Sequence, residues 1–118
     1  MSDKILTLNK IREIVKPIAL KYRVKEIYLF GSYARGEATS ESDLDFLVFG
    51  GTDFKLTMIF SLAEDLREAF QKEVDVFEIH EVNKESVFFD TIMKERLLVA
   101  WNTLINNVLR KYLNTQKN

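Results

Sequence analysis

The sequence contains no cysteine and a single histidine. These two scarcities exclude a disulfide scaffold, a thiolate metal site, a cysteine nucleophile and a multi-histidine metal centre, so any bound metal must take oxygen ligands. Proline is represented by Pro17 alone and glycine occurs four times. So few breakers leave no Gly/Pro-rich linker, and there are no repeats or low-complexity tracts. No apolar run reaches the ~18 residues of a membrane span, and Met1–Lys10 lacks the pattern of a signal peptide. Neither charge sign dominates: 17 Lys and Arg stand against 18 Asp and Glu, for a net charge of −1. Such a chain lacks the broad basic surface of a non-specific nucleic-acid binder, and no direct nucleic-acid binding is expected. The remaining 118-residue composition, 47% apolar and 30% charged, is that of a folded domain, expected in the cytoplasm.

Hydrophobic periodicity orders the elements. Thr7 is placed to cap a helix whose Leu8, Ile11, Ile14, Val15, Ile18 and Tyr22 share one face, with Pro17 expected to kink or split it. Strands are expected over Glu26–Phe30, Leu44–Phe49 and Val74–Ile79. A helix carrying Leu56, Ile59, Leu62, Ala63, Leu66 and Phe70 on its buried stripe separates the last two strands. Asn83 is placed to cap a further helix burying Val87, Phe88, Ile92 and Met93. After Leu97–Trp101 a last helical segment aligns Leu104, Ile105, Val108, Leu109, Tyr112 and Leu113. The expected fold is α/β (α+β), a small mixed sheet of three or slightly more strands flanked by helices. The expected division is a domain over 1–101 and an amphipathic helical tail over 102–118.

Chemistry concentrates between Gly31 and Asp45, with an outlier at Asp75. A buried strand ends in Gly31-Ser32, where a sharp turn with outward N–H groups suits a phosphate, and Arg35 lies one turn later. Asp43 and Asp45 open the next strand. Their spacing of two sends both carboxylates to one face, about 7 Å apart, while Leu44, Phe46 and Val48 point into the core. Asp75 interrupts the apolar run Val74–Phe77, where an unpaired acid is expensive if buried. If its strand lies beside Leu44–Phe49, three carboxylates face one another. Such a set can hold two Mg²⁺ ions about 3.5–4 Å apart, and its third member can accept a proton from an attacking hydroxyl.

Gly31-Ser32, ten residues, then Asp43-x-Asp45 resembles the signature of the polymerase-beta-like nucleotidyltransferases. The fuller pattern, with Gly36 and Ser42-Asp43, is met at every fixed position. The small size resembles the minimal (MNT) members, commonly the antitoxins of HEPN/MNT toxin–antitoxin pairs. The resemblance implies ATP as donor, Mg²⁺ as cofactor, Gly31, Ser32 and Arg35 at the nucleotide, and Asp43, Asp45 and Asp75 as catalytic and metal-binding acids. It implies transfer of AMP from ATP to a tyrosine hydroxyl of a partner HEPN toxin. The alternatives are a non-catalytic antitoxin that neutralises by binding, and nucleotidyl transfer to a small molecule or RNA. Homo-oligomerisation is left open by the sequence.

Overall fold

A computed structural model describes residues 5–102 and Thr115. Apart from Asn102 and Thr115, the expected tail over 102–118, with its Leu104–Leu113 stripe, lies outside the described residues.

The chain alternates helices and strands: α1 (Leu8–Tyr22), β1 (Glu26–Phe30), α2 (Gly31–Arg35), β2 (Leu44–Phe49), α3 (Met58–Phe70), β3 (Val74–Glu78), a single 3₁₀ turn (Ile79–Glu81), α4 (Val87–Glu95) and β4 (Leu97–Trp101). The sheet order is β3-β2-β1-β4. β1 runs antiparallel to both β2 and β4, whereas β2 and β3 are parallel. The parallel pair requires a crossover, which α3 supplies.

Alternation along the strands divides the core into two layers. Ile27, Leu29, Leu44, Phe46 and Val48 face α1 and α3, where Ile11, Val15, Leu62 and Leu66 cover them. Phe30 and Leu47 face the other way, under Ile79, Val82 and Ile92, with Phe77 and Phe89 at the margin. Arg12 ties α1 to the sheet edge through two hydrogen bonds from its guanidinium to the Leu98 carbonyl, at 3.2 and 3.1 Å.

Three expectations are corrected, and one unassigned segment is placed. Pro17 does not split α1, which is continuous from Leu8 to Tyr22 with Thr7 capping it. Leu97–Trp101, a segment with no expected element, is the fourth strand, paired with β1. Ser86, not Asn83, caps α4, its hydroxyl accepting the Phe89 N–H at 3.0 Å; Asn83 instead shapes the preceding turn by accepting from Glu85. Three residues assigned to buried stripes are exposed. Leu56 precedes α3, and Val87 and Phe88 lie in the first turn of α4, ahead of the part that Ile92 anchors.

Candidate functional site

The site begins where β1 runs out. Gly31 takes φ +77°, which only glycine adopts readily, and starts the five-residue α2. Its missing side chain matters a second time: a Cβ there would collide with the Asp45 carboxylate. The turn and the acid are thus packed against each other, and glycine is what permits it. Gly36 ends α2 at φ +73°, and the Glu37 N–H closes the turn onto the Ser32 carbonyl at 2.9 Å. Ser42 has a structural part in the same signature. Its hydroxyl accepts the Thr39 N–H at 2.8 Å and holds the turn that delivers Asp43 to the mouth of β2.

Strand register gathers the acids. Asp45 lies opposite Phe30 of β1 on one side and opposite Asp75 of β3 on the other. Asp43 and Asp75 are exposed and Asp45 is half-buried. Several carboxylates elsewhere are paired: Asp65 accepts from Lys21 and Tyr22, Glu78 contacts His80, and Glu95 and Glu37 share Arg35. Among the described residues no hydrogen bond or ion pair reaches Asp43, Asp45 or Asp75. Burial, and then the repulsion of Asp75 and Asp43, push the Asp45 carboxyl up from 3.8 to about 6; the Arg35 cation opposes this only in part. The fold has therefore concentrated negative charge here without an internal counter-charge to match it.

These acids stop short of a closed metal cage. Among the described residues no group of three or more acid or imidazole side chains is already arranged to hold an ion. The three-carboxylate set expected from the sequence is therefore not pre-formed as a metal-holding group. Mg²⁺ usually takes one or two carboxylates and completes its octahedron with water and substrate phosphate. Hard oxygen donors, unrelieved repulsion and open coordination are the properties such a site needs.

Arg35 is exposed and committed to carboxylates. Its Nε donates to Glu37 at 3.1 Å and its Nη1 to both oxygens of Glu95 at 3.2 and 3.1 Å. Nη2 has no hydrogen-bond partner among the described residues and is the donor left for a ligand. Glu95 is the residue that pattern reading missed. It also accepts the Gly31 N–H at 2.8 Å. One signal pointed to it: it is an acid at the C-terminal end of a helix, where the dipole disfavours negative charge. His80 is exposed and hydrogen-bonds Glu78.

A mixed sheet that sets a carboxylate group beside a glycine–serine turn is the framework of a nucleotidyltransferase. The family profile described as "Polymerase beta, Nucleotidyltransferase" matches residues 9–103, and the chain belongs to that family. It is 36% identical over 93 residues to the "Putative protein adenylyltransferase MJ0435" of Methanocaldococcus jannaschii, covering 79% of this chain and 92% of the relative. It is 32% identical over 99 residues to the "Protein adenylyltransferase MntA" of Thermococcus cleftensis, covering 80% and 98%. The fold matches a chain in the solved complex of a tri-AMPylated Shewanella oneidensis HEPN toxin with its MNT antitoxin. There the TM-score is 0.62 at 16% identity, with 94% of this chain and 91% of that chain covered. The resemblance to minimal nucleotidyltransferases, the mixed-sheet fold and the enzyme class are borne out. Among the described residues no helix is long and apolar enough to cross a membrane.

Proposed function

We propose that this chain is the antitoxin of a two-component pair and transfers AMP from ATP to a tyrosine hydroxyl of a HEPN-type partner. The observation that carries the reading is the set of unpaired carboxylates around Asp45, packed against the Gly31 turn. Asp43 and Asp45 are the metal-holding acids, with Asp75 completing the set. A divalent cation there, Mg²⁺ by the hardness of the donors, supplies charge neutralisation for the triphosphate. Gly31 and Ser32 receive the phosphates at the turn, and Arg35 adds its Nη2 donor. Asp75, exposed on the outer strand, accepts the proton of the attacking hydroxyl. A bond forms between that oxygen and the α-phosphorus, the α–β phosphoanhydride breaks, and pyrophosphate carries away the electron pair. Alignment of these groups and electrostatic stabilisation do most of the work, because the protein has little covalent chemistry to perform.

The test uses α-labelled ATP, Mg²⁺ and a HEPN-type protein that this chain binds. Label is expected on the partner, at tyrosine, with a fall of at least ~100-fold for Asp43→Ala. A partner that binds the wild-type chain tightly and takes up no label would overturn the reading. Full neutralisation by Asp43→Ala would instead assign the antitoxin effect to binding alone.

A further inference from the structure

Glu95 is held by contacts that its own helix does not explain. It is the last residue of α4, at the negative end of the dipole, yet its side chain is only 14% exposed. It reaches a segment 64 positions earlier in the chain. One oxygen accepts the Gly31 N–H at 2.8 Å, and both take the Arg35 Nη1 at 3.2 and 3.1 Å. The Gly31 N–H is the first of α2, and Phe30, which precedes it, has no side chain able to cap it. The cap therefore comes from another element. The same carboxylate tethers the exposed Arg35 guanidinium, which stands within electrostatic reach of Asp45. Glu95 thus fixes two groups at once: the backbone that begins α2 and the cation of its last residue. Charge-assisted hydrogen bonds of this kind are short and directional, and a guanidinium so held loses little freedom when a ligand meets its remaining donors.

We infer that Glu95 is a positioning residue for nucleotide binding, holding the Gly31–Ser32 turn and the Arg35 guanidinium in the orientation that receives the triphosphate; this rests on the nucleotidyltransferase reading of the same site. Glu95 touches neither the reacting hydroxyl nor the α-phosphorus in this scheme. It acts through Gly31 and Arg35. The opposite role is a carboxylate occupying the place of a phosphate and competing with it, and that role predicts effects of opposite sign.

The experiment is calorimetric titration of the full chain with MgATP, alongside kinetics of transfer to the partner. Wild type, Glu95→Gln, Glu95→Ala, Arg35→Ala and the Arg35→Ala/Glu95→Ala double variant are compared. Glu95→Ala is expected to weaken MgATP binding about tenfold or more, as loss of charged hydrogen bonds implies. Glu95→Gln keeps an acceptor for the Gly31 N–H and falls between wild type and Glu95→Ala. In the Arg35→Ala background the Glu95→Ala effect shrinks, because one of its two tethers is already gone. In the transfer assay the KM for ATP rises with kcat at saturation within about threefold of wild type. A merely structural role lowers the stoichiometry and the active fraction and leaves Kd and KM unchanged, which overturns the inference. Tighter binding by either Glu95 variant overturns it in favour of competition. If Glu95→Ala fails to fold, Glu95→Gln decides the question on its Kd alone. Absence of MgATP binding by the wild type overturns the underlying reading, whereas wild-type binding with unaltered variants overturns only the role of Glu95.

Discussion

A carboxyl group ionises reluctantly where water is scarce and its neighbours carry the same sign, and Asp45 meets both conditions. Its pKa stands at about 6 against the usual 3.8, from burial first and from Asp75 and Asp43 next. Between about pH 4 and 6 the folded chain therefore holds a proton that the unfolded chain has released. Stability then falls as pH rises through that window, and the penalty persists at neutral pH. Asp45→Asn removes the charge and keeps the shape. Without divalent cations the variant is expected to melt higher than wild type at pH 8, with the difference shrinking below pH 6 and vanishing near pH 4. Added Mg²⁺ should stabilise wild type more than the variant, and transfer activity should fall at least ~100-fold. Thermal melts across pH, with and without EDTA, check this. A variant less stable than wild type at pH 8 in EDTA would contradict the picture of accumulated, unrelieved charge.

The same competition between local and distant forces acts on whole elements. In α1 the ring of Pro17 removes one hydrogen bond to the carbonyl four residues before it, and an interior proline costs about 3 kcal/mol relative to alanine. The helix nevertheless runs through, because Ile11 and Val15 before the proline and Ala19 after it are all buried under one sheet. Full burial of side chains such as Ile11 and Val15 contributes roughly 1.5–3 kcal/mol each, more than the single interrupted bond costs. Pro17→Ala is accordingly expected to raise stability by about 1–3 kcal/mol, read as a higher urea midpoint at unchanged slope; a lower midpoint would show that the proline sets a bend the packing needs. This is also where sequence reading reaches its limit. Strands β1 and β2 were legible to the residue, since alternation and flanking glycines are local signals. Asp43 and Asp45 were legible as neighbours on one face, and Asp75 as an acid out of place, because strand periodicity and an acid in an apolar run are local as well; that β3 pairs with β2 and sets Asp75 opposite Asp45 was not. Leu97–Trp101 was not legible as a strand, because what makes it one is pairing with β1, some seventy positions earlier in the chain. Glu95 was not legible as part of the site for the same reason: both of its partners lie in a different element.

At the scale of the whole molecule, the site exists only when distant segments meet. The Gly31 turn, the start of β2, Asp75 on β3 and the end of α4 come together in the finished sheet and nowhere in the unfolded chain. A ligand that bridges them binds the folded state alone and stabilises it by mass action, about 2.7 kcal/mol at a hundredfold excess over Kd. For a chain of this size that corresponds to roughly 10 °C in Tm. The sign of the charge decides which ligand can do this. The chain as a whole is almost neutral, yet Asp43, Asp45 and Asp75 repel one another at the site, and a bare triphosphate would add further negative charge against them. MgATP is therefore expected to raise Tm by roughly 10 °C at saturation, ATP in EDTA by a small fraction of that, and neither should move the Asp43→Ala/Asp45→Ala double variant. Differential scanning fluorimetry at fixed protein concentration separates these outcomes. If ATP in EDTA stabilised the chain as strongly as MgATP, the triphosphate would be bound without a bridging cation, and the two aspartates would need some role other than holding one.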